Sequence, residues 1–401
     1  MRIGIIKEGK VPVDHRVPFT PDQAKEIEKL FPEVEVKVES SDVRCFPDSD
    51  YATLGLEIRK DVEDCDVLFG VKEVPIESLI PNKTYFFFSH TIKKQPYNKD
   101  LLKAILAKNI RLIDYECLTN TLGQRVVAFG RYAGIVGAYN GLLTYGKKFD
   151  LFELKPAHQC LDMEELFGEL DKVSLPGVKI ALTGAGRVSN GSVEVLERAG
   201  IRRVGAEEFL EENFSDAVYA QLDVEDYNKR KDGGAFDKKE FFADPSGYES
   251  NFLRFLPHAD ILVAGAFWAP EAPALFTAED VSSSDFNIKV VADITCDIRG
   301  SIPTTVRPST IDDPIYDYEP SIDEAVPAFA EPGRLTVMAV DNLPCELPRD
   351  ASASFGENLI KFVLPSLLGE DSDGIIHRAT IAENGELGEH YQYLSDYAEV
   401  V

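Results

Sequence analysis

Side chains able to move protons recur at one kind of place in the first third of the sequence. Lys72 and Glu73 follow the apolar run "DVLFGV", His90 follows "YFFFS", and Glu116 follows "IRLIDY". Lys7, Arg16 and Arg125 complete the set. Apolar walls and neighbouring cations lower a lysine's basicity towards neutrality, and an imidazole already titrates there. Two such groups beside a hydride donor suit carbonyl addition, loss of water and imine reduction, while arginines clamp carboxylates bidentately. Taken singly, each has a plain structural reading: a snorkelling lysine, a satisfied core histidine, a surface arginine. Convergence from separate strands onto one sheet edge favours chemistry, because open parallel sheets bind ligands outside the carboxyl ends of their strands.

A second constellation lies further on. "IALTGAGRVSNG" runs from a strand through a glycine turn into a helix. Gly184 and Gly186 take the first two positions of a dinucleotide fingerprint, where backbone N–H groups approach a pyrophosphate, and Arg187 and Val188 continue that turn. Ser189 occupies the third glycine position, with Gly191 two residues on. Glu207 and Glu208 follow the next strand, where a carboxylate accepts from the adenosine ribose of NAD. Arg202 and Arg203 stand close by and would greet the 2′-phosphate of NADP, so NAD is the expected cofactor and NADP the alternative.

The elements that must position these residues alternate. "RIGIIKE", "VEVKVES", "DVLFGVKE", "TYFFFSH" and "IRLIDYE" read as strands. "TPDQAKEIEKLF", entered through Thr20 with Pro21 in its first turn, and "NKDLLKAILAKN" read as helices. Glycines 130, 134, 137 and 141 give a small-residue face to a long helix, which suits close packing against another backbone. Residues 211–248 read as a polar insertion, and "SFGENLIKFVLPSLLG" as a helix. The expected architecture is α/β: two Rossmann-like domains with parallel sheets and an interdomain cleft. Residues 1–134 plus 345–401 would bind substrate, and 135–344 the dinucleotide.

Bulk properties set outer limits. The 401 residues carry a formal charge of −27, a field that repels nucleic acid and anionic membranes and obliges an acidic substrate to find local Lys and Arg. No apolar run is long enough to suggest a membrane span, and the N-terminus becomes charged too early for a signal peptide. A cytoplasmic protein is the expectation. Six scattered cysteines without CxxC spacing or metal-ligand spacing imply reduced thiols and no metal site.

Six segments together carry a family resemblance: "GVKEVP", "TYFFFSHTIKKQ", "VVAFGRYAGIVGA", "LTGAGRVSNG", "ADITCDIRGSI" and "AVDNLPCELPRDAS". Over nearly the whole chain the sequence resembles the lysine-forming saccharopine dehydrogenases, most of all the lysine-ketoglutarate reductase type. These are relatives of alanine dehydrogenase and of the transhydrogenase nucleotide-binding subunit. The resemblance implies reversible formation of saccharopine from L-lysine and 2-oxoglutarate with a reduced nicotinamide cofactor. It makes Lys72 and His90 the acid–base pair and gives Arg16 and Arg125 the substrate carboxylates. Glu73 and Glu116 would tune the pair and hold the amine, and Lys7 and Phe129 would border the substrate. Asp293, Asn342 and Leu343 would lie along the cofactor. The absence of a second catalytic domain resembles the standalone reductase, and oligomeric state is left open. The glycine fingerprint differs from that of the fungal type, and reductase-type members commonly use NADP. Two alternatives share the fold: an alanine dehydrogenase-type enzyme, and a non-catalytic nucleotide-binding subunit.

Overall fold

Short apolar strands paired in parallel build both halves of the chain. The computed structural model describes residues 1–399. It begins with β1 (Arg2–Ile5), α1 (Pro21–Leu30), β2 (Glu35–Glu39), α2 (Asp48–Thr53), β3 (Glu57–Arg59), β4 (Val67–Phe69), β5 (Thr84–Phe87), α3 (Lys99–Ala107) and β6 (Arg111–Asp114). Thr20 starts α1 with a reciprocal capping box: its hydroxyl accepts from Gln23 N–H, and the Gln23 side chain accepts from Thr20 N–H. Such a box satisfies two N–H groups that have no partner within the helix.

Helices α4 (Gly130–Phe149) and α5 (Met163–Glu169) follow. Next come β7 (Lys179–Thr183), α6 (Arg187–Arg198), β8 (Arg202–Arg203), α7 (Ala206–Glu211), β9 (Val218–Leu222), α8 (Val224–Tyr227), β10 (Asn228–Arg230), α9 (Lys238–Ala243) and β11 (Tyr248–Ser250). Strands β12 (Ile261–Ala264), β13 (Val290–Asp293), β14 (Ile315–Glu319), β15 (Glu324–Val326) and β16 (Leu335–Met338) complete this stretch. The chain closes through α10 (Pro348–Asn358), α11 (Leu364–Leu368), α12 (Ile375–Ala379), β17 (Thr380–Glu383), β18 (Glu386–Leu387) and α13 (Ser395–Ala398).

Two units result: Met1–Phe129 with the residues from Pro348 on, and Gly130–Leu347. Residues 130–134 go with the second unit because α4 is one continuous helix. The first unit holds an eight-stranded sheet ordered β18-β17-β6-β5-β4-β1-β2-β3, parallel except for β17 and β18. The second holds an eight-stranded sheet ordered β15-β14-β16-β13-β12-β7-β9-β8, parallel except for β14 and β15. Each sheet is thus a parallel core with two antiparallel strands at one margin.

Two sequence expectations change here. Residues 211–248 are not a simple insertion, because they contain β9, which pairs with β7 along its whole length. "VYAQL" is short and flanked by acids, which hid an interior strand. The "SFGENLIKFVLPSLLG" helix is interrupted by a π-helical turn, Leu359–Val363, just before Pro365; a proline has no N–H for the regular ladder. The expected parallel sheets are present, with antiparallel pairing confined to one margin of each.

Alternation along β5 explains the phenylalanine run. Phe86 and Phe87 are fully buried on opposite faces, Phe86 stacked on Phe69 (ring centroids 4.4 Å apart) and Phe87 beside Tyr85. Phe88, past the strand, packs against Tyr115, Phe129 and Phe355. In the second unit, α4 and α6 touch through glycines. A Cβ on Gly134 would collide with the Val188 carbonyl, and one on Gly191 with the Arg131 carbonyl. Ser189, buried on α6, donates to Thr183 O at 2.9 Å. Gly191 therefore serves helix packing rather than phosphate approach.

Gly134→Ala should destabilise the protein by about 1–3 kcal/mol through overpacking. Gly168→Ala, in α5 with nothing within 4 Å of the added carbon, should stabilise by up to about 1 kcal/mol. Thermal midpoints of the two variants check the opposite signs.

Candidate active site

In the first unit, β1, β4, β5 and β6 are adjacent and parallel, so their carboxyl ends share an edge. The segments leaving those ends carry Glu8, then Lys72 and Glu73, then His90, then Glu116. The His90 ring lies between two carboxylates, with Nε2 at 3.9 Å from Glu73 Oε1 and Nδ1 at 3.6 Å from Glu116 Oε2. Both of these carboxylate oxygens are buried and have no hydrogen-bond partner among the described residues. A buried acceptor without a donor is costly, and a ligand ammonium would satisfy it. Phe88 stacks on the other side of the imidazole at 6.2 Å.

Cations surround this carboxylate pair. Arg125 Nη2 donates to Glu116 Oε1 at 2.5 Å, Lys93 Nζ lies 3.6 Å from the same oxygen, and Lys10 Nζ donates to Glu73 Oε2 at 2.7 Å. Burial raises the affinity of Glu116 for a proton, but His90, Lys93 and Arg125 outweigh it and hold the carboxyl down to about 2. Arg125 and Lys93 are each about half exposed, with side-chain exposures of 49%, so both remain within reach of an incoming carboxylate.

Lys72 sits against a second group. Glu8 accepts the backbone N–H of Val71 and of Lys72. Asp14 is held ionised, far below the usual carboxylate range; burial opposes this, but Arg16 and then Lys72 outweigh it. Arg16 is only 2% exposed. Its Nε and Nη2 donate to Asp14 at 3.0 and 2.6 Å, and its guanidinium lies 4.1 Å above the Phe129 ring. This arginine is fixed in orientation by an ion pair below it and an aromatic face beside it.

Asp114 plays the part for His90 and Glu116 that Glu8 plays for Lys72. It is fully buried and accepts the N–H groups of Ser89 (2.9 Å) and Glu116 (2.7 Å), plus the Ser89 hydroxyl. His90 itself has a left-handed backbone, φ 53°. That conformation disfavours non-glycine residues and persists where neighbours over-determine it; here Ser89 and Thr91, bonded through their hydroxyls, do so.

Lys7 is not brought into the cluster. Its ammonium lies 3.4 Å from Glu39 at the end of β2, and its side chain is 56% exposed. Sequence reasoning also passed over Glu8, Asp14, Lys93 and Asp114. Lys93 carried a signal, being the third residue after His90 in "SHTIKK"; the buried acids carried none beyond their places at strand ends.

The second unit contains a cavity of about 580 Å³ at the carboxyl ends of β7, β9 and β12. Gly184, Gly186, Arg187 and Val188 line it. Gly184 has φ 97°, where an added Cβ would press on Ser189 Oγ at 2.7 Å. Gly186 caps α6 without a side chain, so no side chain occupies the first-turn N–H groups of this helix. A glycine cradle, an uncapped helix start and a deep cleft fit a dinucleotide pyrophosphate.

The acidic partner differs from expectation. Glu207 lies on α7, is 69% exposed and pairs with Arg254, while Glu208 caps that helix and pairs with Arg202. Neither lines the cavity. The strand before them, β8, is a two-residue edge strand, whereas β9 is the neighbour of β7. Asp223, at the end of β9, does line the cavity, together with Lys238, which donates to it at 2.7 Å. Tyr227, Phe241 and Phe242 add the facing wall, so the polar segment builds part of this site.

Asp293 ends β13 fully buried, its oxygens taken up by Thr295, Cys296 N–H and Thr305, and burial raises its pKa despite them. Asn342 and Leu343 follow β16; the Asn342 amide contacts Cys345 Sγ at 2.7 Å, and Leu343 packs beside Gly137. These three residues do not line the cavity. Among the described residues there is no group of His, Cys, Asp or Glu able to hold a metal, and no helix long and apolar enough to cross a membrane. No disulfide joins any of the six cysteines, three of which are buried.

Two α/β units, one with a glycine-turn cavity and one with an acid–base cluster at its sheet edge, define a dinucleotide-dependent oxidoreductase architecture. The chain belongs to the alanine dehydrogenase/PNT family: the N-terminal domain model matches residues 4–136 and the C-terminal domain model residues 214–387. That family is one of nicotinamide-dependent dehydrogenases. The chain is 29% identical to mouse mitochondrial alpha-aminoadipic semialdehyde synthase over 96% of its length, covering 46% of that protein. It thus spans about half the length of such curated relatives. It is 27% identical to the Yarrowia lipolytica saccharopine dehydrogenase [NAD(+), L-lysine-forming], over 89% of each chain. Among solved structures, an L-alanine dehydrogenase superposes with TM-score 0.67 at 14% identity, over 99% of both chains. A Sinorhizobium meliloti transhydrogenase gives 0.60 at 15%, over 96% of this chain and 98% of that one. These two likenesses concern the fold.

The depressed Glu116 carboxyl makes a pH prediction. Its folded value, about 2, lies below the ordinary 4.5, so its ionisation stabilises the fold above pH 4.5. That stability is lost as pH falls from 4.5 towards 2. Glu116→Gln should therefore show a smaller fall in thermal midpoint between pH 5 and about 2.5 than the wild type. Equal falls would count against the cation cage as the cause.

Proposed function

We propose that the chain is a lysine-forming saccharopine dehydrogenase, interconverting saccharopine and water with L-lysine and 2-oxoglutarate through an imine. The observation that supports this best is the pair of unpartnered carboxylate oxygens, Glu73 Oε1 and Glu116 Oε2, that flank His90. Such a pair suits the ammonium groups of a diamino acid, and the cations beside it, Arg125 and Lys93, with Arg16 in the neighbouring group, suit the carboxylates of a keto diacid.

In the synthetic direction the lysine amine adds to the keto carbon. His90 protonates the carbonyl oxygen, recovers the proton that the attacking amine releases, and passes it to the departing hydroxyl, so that water leaves and an imine forms. Lys72 takes and returns the proton of the secondary amine. When bound, the nicotinamide cofactor supplies hydride for imine reduction, and it accepts hydride in the reverse direction. The glycine turn Gly184–Val188 would hold its pyrophosphate. Asp223 would accept from the adenosine ribose hydroxyls, which favours NAD over NADP because a 2′-phosphate would meet a carboxylate. The substrates are small molecules, and the proposed setting is the cytoplasm.

Initial rates test the reading. Oxidation of NADH with L-lysine and 2-oxoglutarate should exceed that with ammonia and pyruvate by at least about 100-fold. The opposite ranking would favour an alanine dehydrogenase, and no turnover with either pair a nucleotide-binding subunit. Lys72→Met should lower kcat by about 10²–10⁴-fold while binding NADH unchanged by fluorescence titration. In the same titration NADH should bind more tightly than NADPH, and Asp223→Ser should narrow the difference by about tenfold, equivalent to about 1.4 kcal/mol. A wild-type preference for NADPH would reject the ribose role of Asp223.

A further inference from the structure

Glu8 belongs to no motif, and the proton transfers above do not use it. It stands just beyond β1, whose neighbour in the sheet is β4. Its Oε1 accepts the Val71 N–H at 2.7 Å and its Oε2 the Lys72 N–H at 2.9 Å. Both oxygens are therefore committed to the backbone at the root of the Lys72 side chain. Gly70 lies against the same carboxylate, and a Cβ there would press on Ile6 at 2.9 Å and reach Glu8 Oε1 at 3.4 Å. The contact is thus closely packed as well as hydrogen-bonded.

We propose that Glu8 is a positioning residue for Lys72: its ionised carboxylate fixes the Val71–Lys72 backbone through both oxygens, and its protonation releases that hold. An ionised carboxylate offers two equivalent acceptors, whereas a neutral carboxyl has one good acceptor and a hydroxyl that must itself find a partner. The arrangement in which both N–H groups are accepted belongs to the anion. Facing Glu8 are Asp14 and Arg16 from the segment after β1, Lys72 from the segment after β4, and Tyr115 from the turn after β6. Burial and then the Asp14 charge push Glu8 up to about 8, against the two N–H groups and Arg16. The grip on Lys72 accordingly tightens as pH rises through that value. Glu8→Gln offers only one carbonyl oxygen, so one of the two N–H groups loses its acceptor at every pH.

The inference rests on the acid–base role assigned to Lys72, and the first readout needs no turnover. Labelling with ¹³C-carbonyl valine and ¹⁵N-lysine selects amides that include Lys72, with Lys37 and Lys179, which also follow valine, as internal references. In the full-length protein the Lys72 amide resonance should move between pH 6 and 9.5 with a midpoint near 8. In Glu8→Gln that transition should be absent, and in Glu8→Asp, which keeps a carboxylate, it should persist with a shifted midpoint. A Lys72 amide that does not titrate, or that titrates identically in Glu8→Gln, overturns the proposal. In kinetics, kcat/KM of the wild type should rise with pH along a limb near 8. Glu8→Gln should lose that limb and lower kcat on the order of 10- to 100-fold. An unchanged pH profile in a turning-over Glu8→Gln enzyme also overturns it. The amide transition without any turnover in the wild type would instead sink the reading of Lys72 while leaving the positioning contact intact.

Discussion

Backbone N–H groups that leave the carboxyl end of a buried strand must find acceptors, and in the first unit two carboxylates supply them, one partly and one fully buried. Glu8 takes those of Val71 and Lys72, and Asp114 those of Ser89 and Glu116. Every member of the acid–base cluster is thereby tied to the sheet within a residue or two of its own backbone. Leaving such donors unsatisfied would cost about 1–3 kcal/mol each, and the loops would no longer hold a common geometry. The cost is two charges, or two displaced protonation equilibria, inside the protein. Burial raises the pKa of both carboxyls, which is the expected consequence of placing acids in low-dielectric surroundings.

Charge around the cluster runs against the character of the whole chain. The protein carries −27 overall, yet Lys10, Lys93, Arg125 and Arg16 crowd a few carboxylates at one sheet edge. Global charge acts over a Debye length of about 8–10 Å at ordinary salt, whereas contacts of 3–4 Å are set by the local pairs. The local set governs the field at this edge, and it contains both signs. Oxygens without donors on Glu73 and Glu116 lie next to half-exposed guanidinium and ammonium groups. That mixture suits zwitterionic ligands far better than a simple cation or anion would be suited.

Much of this was legible in the sequence because strand ends are legible. Val67–Phe69, Thr84–Phe87 and Arg111–Asp114 are short apolar runs, and the polar residue that ends each run locates the sheet edge. The long helix α4 was readable for a different reason: glycines repeated on one face have few explanations other than close backbone contact, and the carbonyls of Val188 and Arg131 provide it. What escaped notice depends on partners distant in sequence. Glu8 is 63 residues from Val71, and Asp114 is 25 from Ser89. Nothing local marks an acid whose role is to accept another strand's N–H.

Strand β9 left the least trace in the sequence, and its consequences reach the glycine-turn cavity. Counting a fixed distance from the glycine turn arrives at Glu207, because that rule assumes the strand following the helix is the neighbour of the first. Here the strand following α6 is only two residues long and sits at the sheet edge, with β9 inserted between it and β7. In a parallel sheet the residue that reaches the glycine turn is set by adjacency, not by sequence spacing. Gly184 N–H donates to Leu222 O, the last residue of β9, so the turn and Asp223 are joined by a single hydrogen bond and one peptide step. The same segment then supplies Lys238 and the aromatic wall. A stretch that reads as a polar addition is therefore part of the sheet's own carboxyl edge and of the cavity wall there.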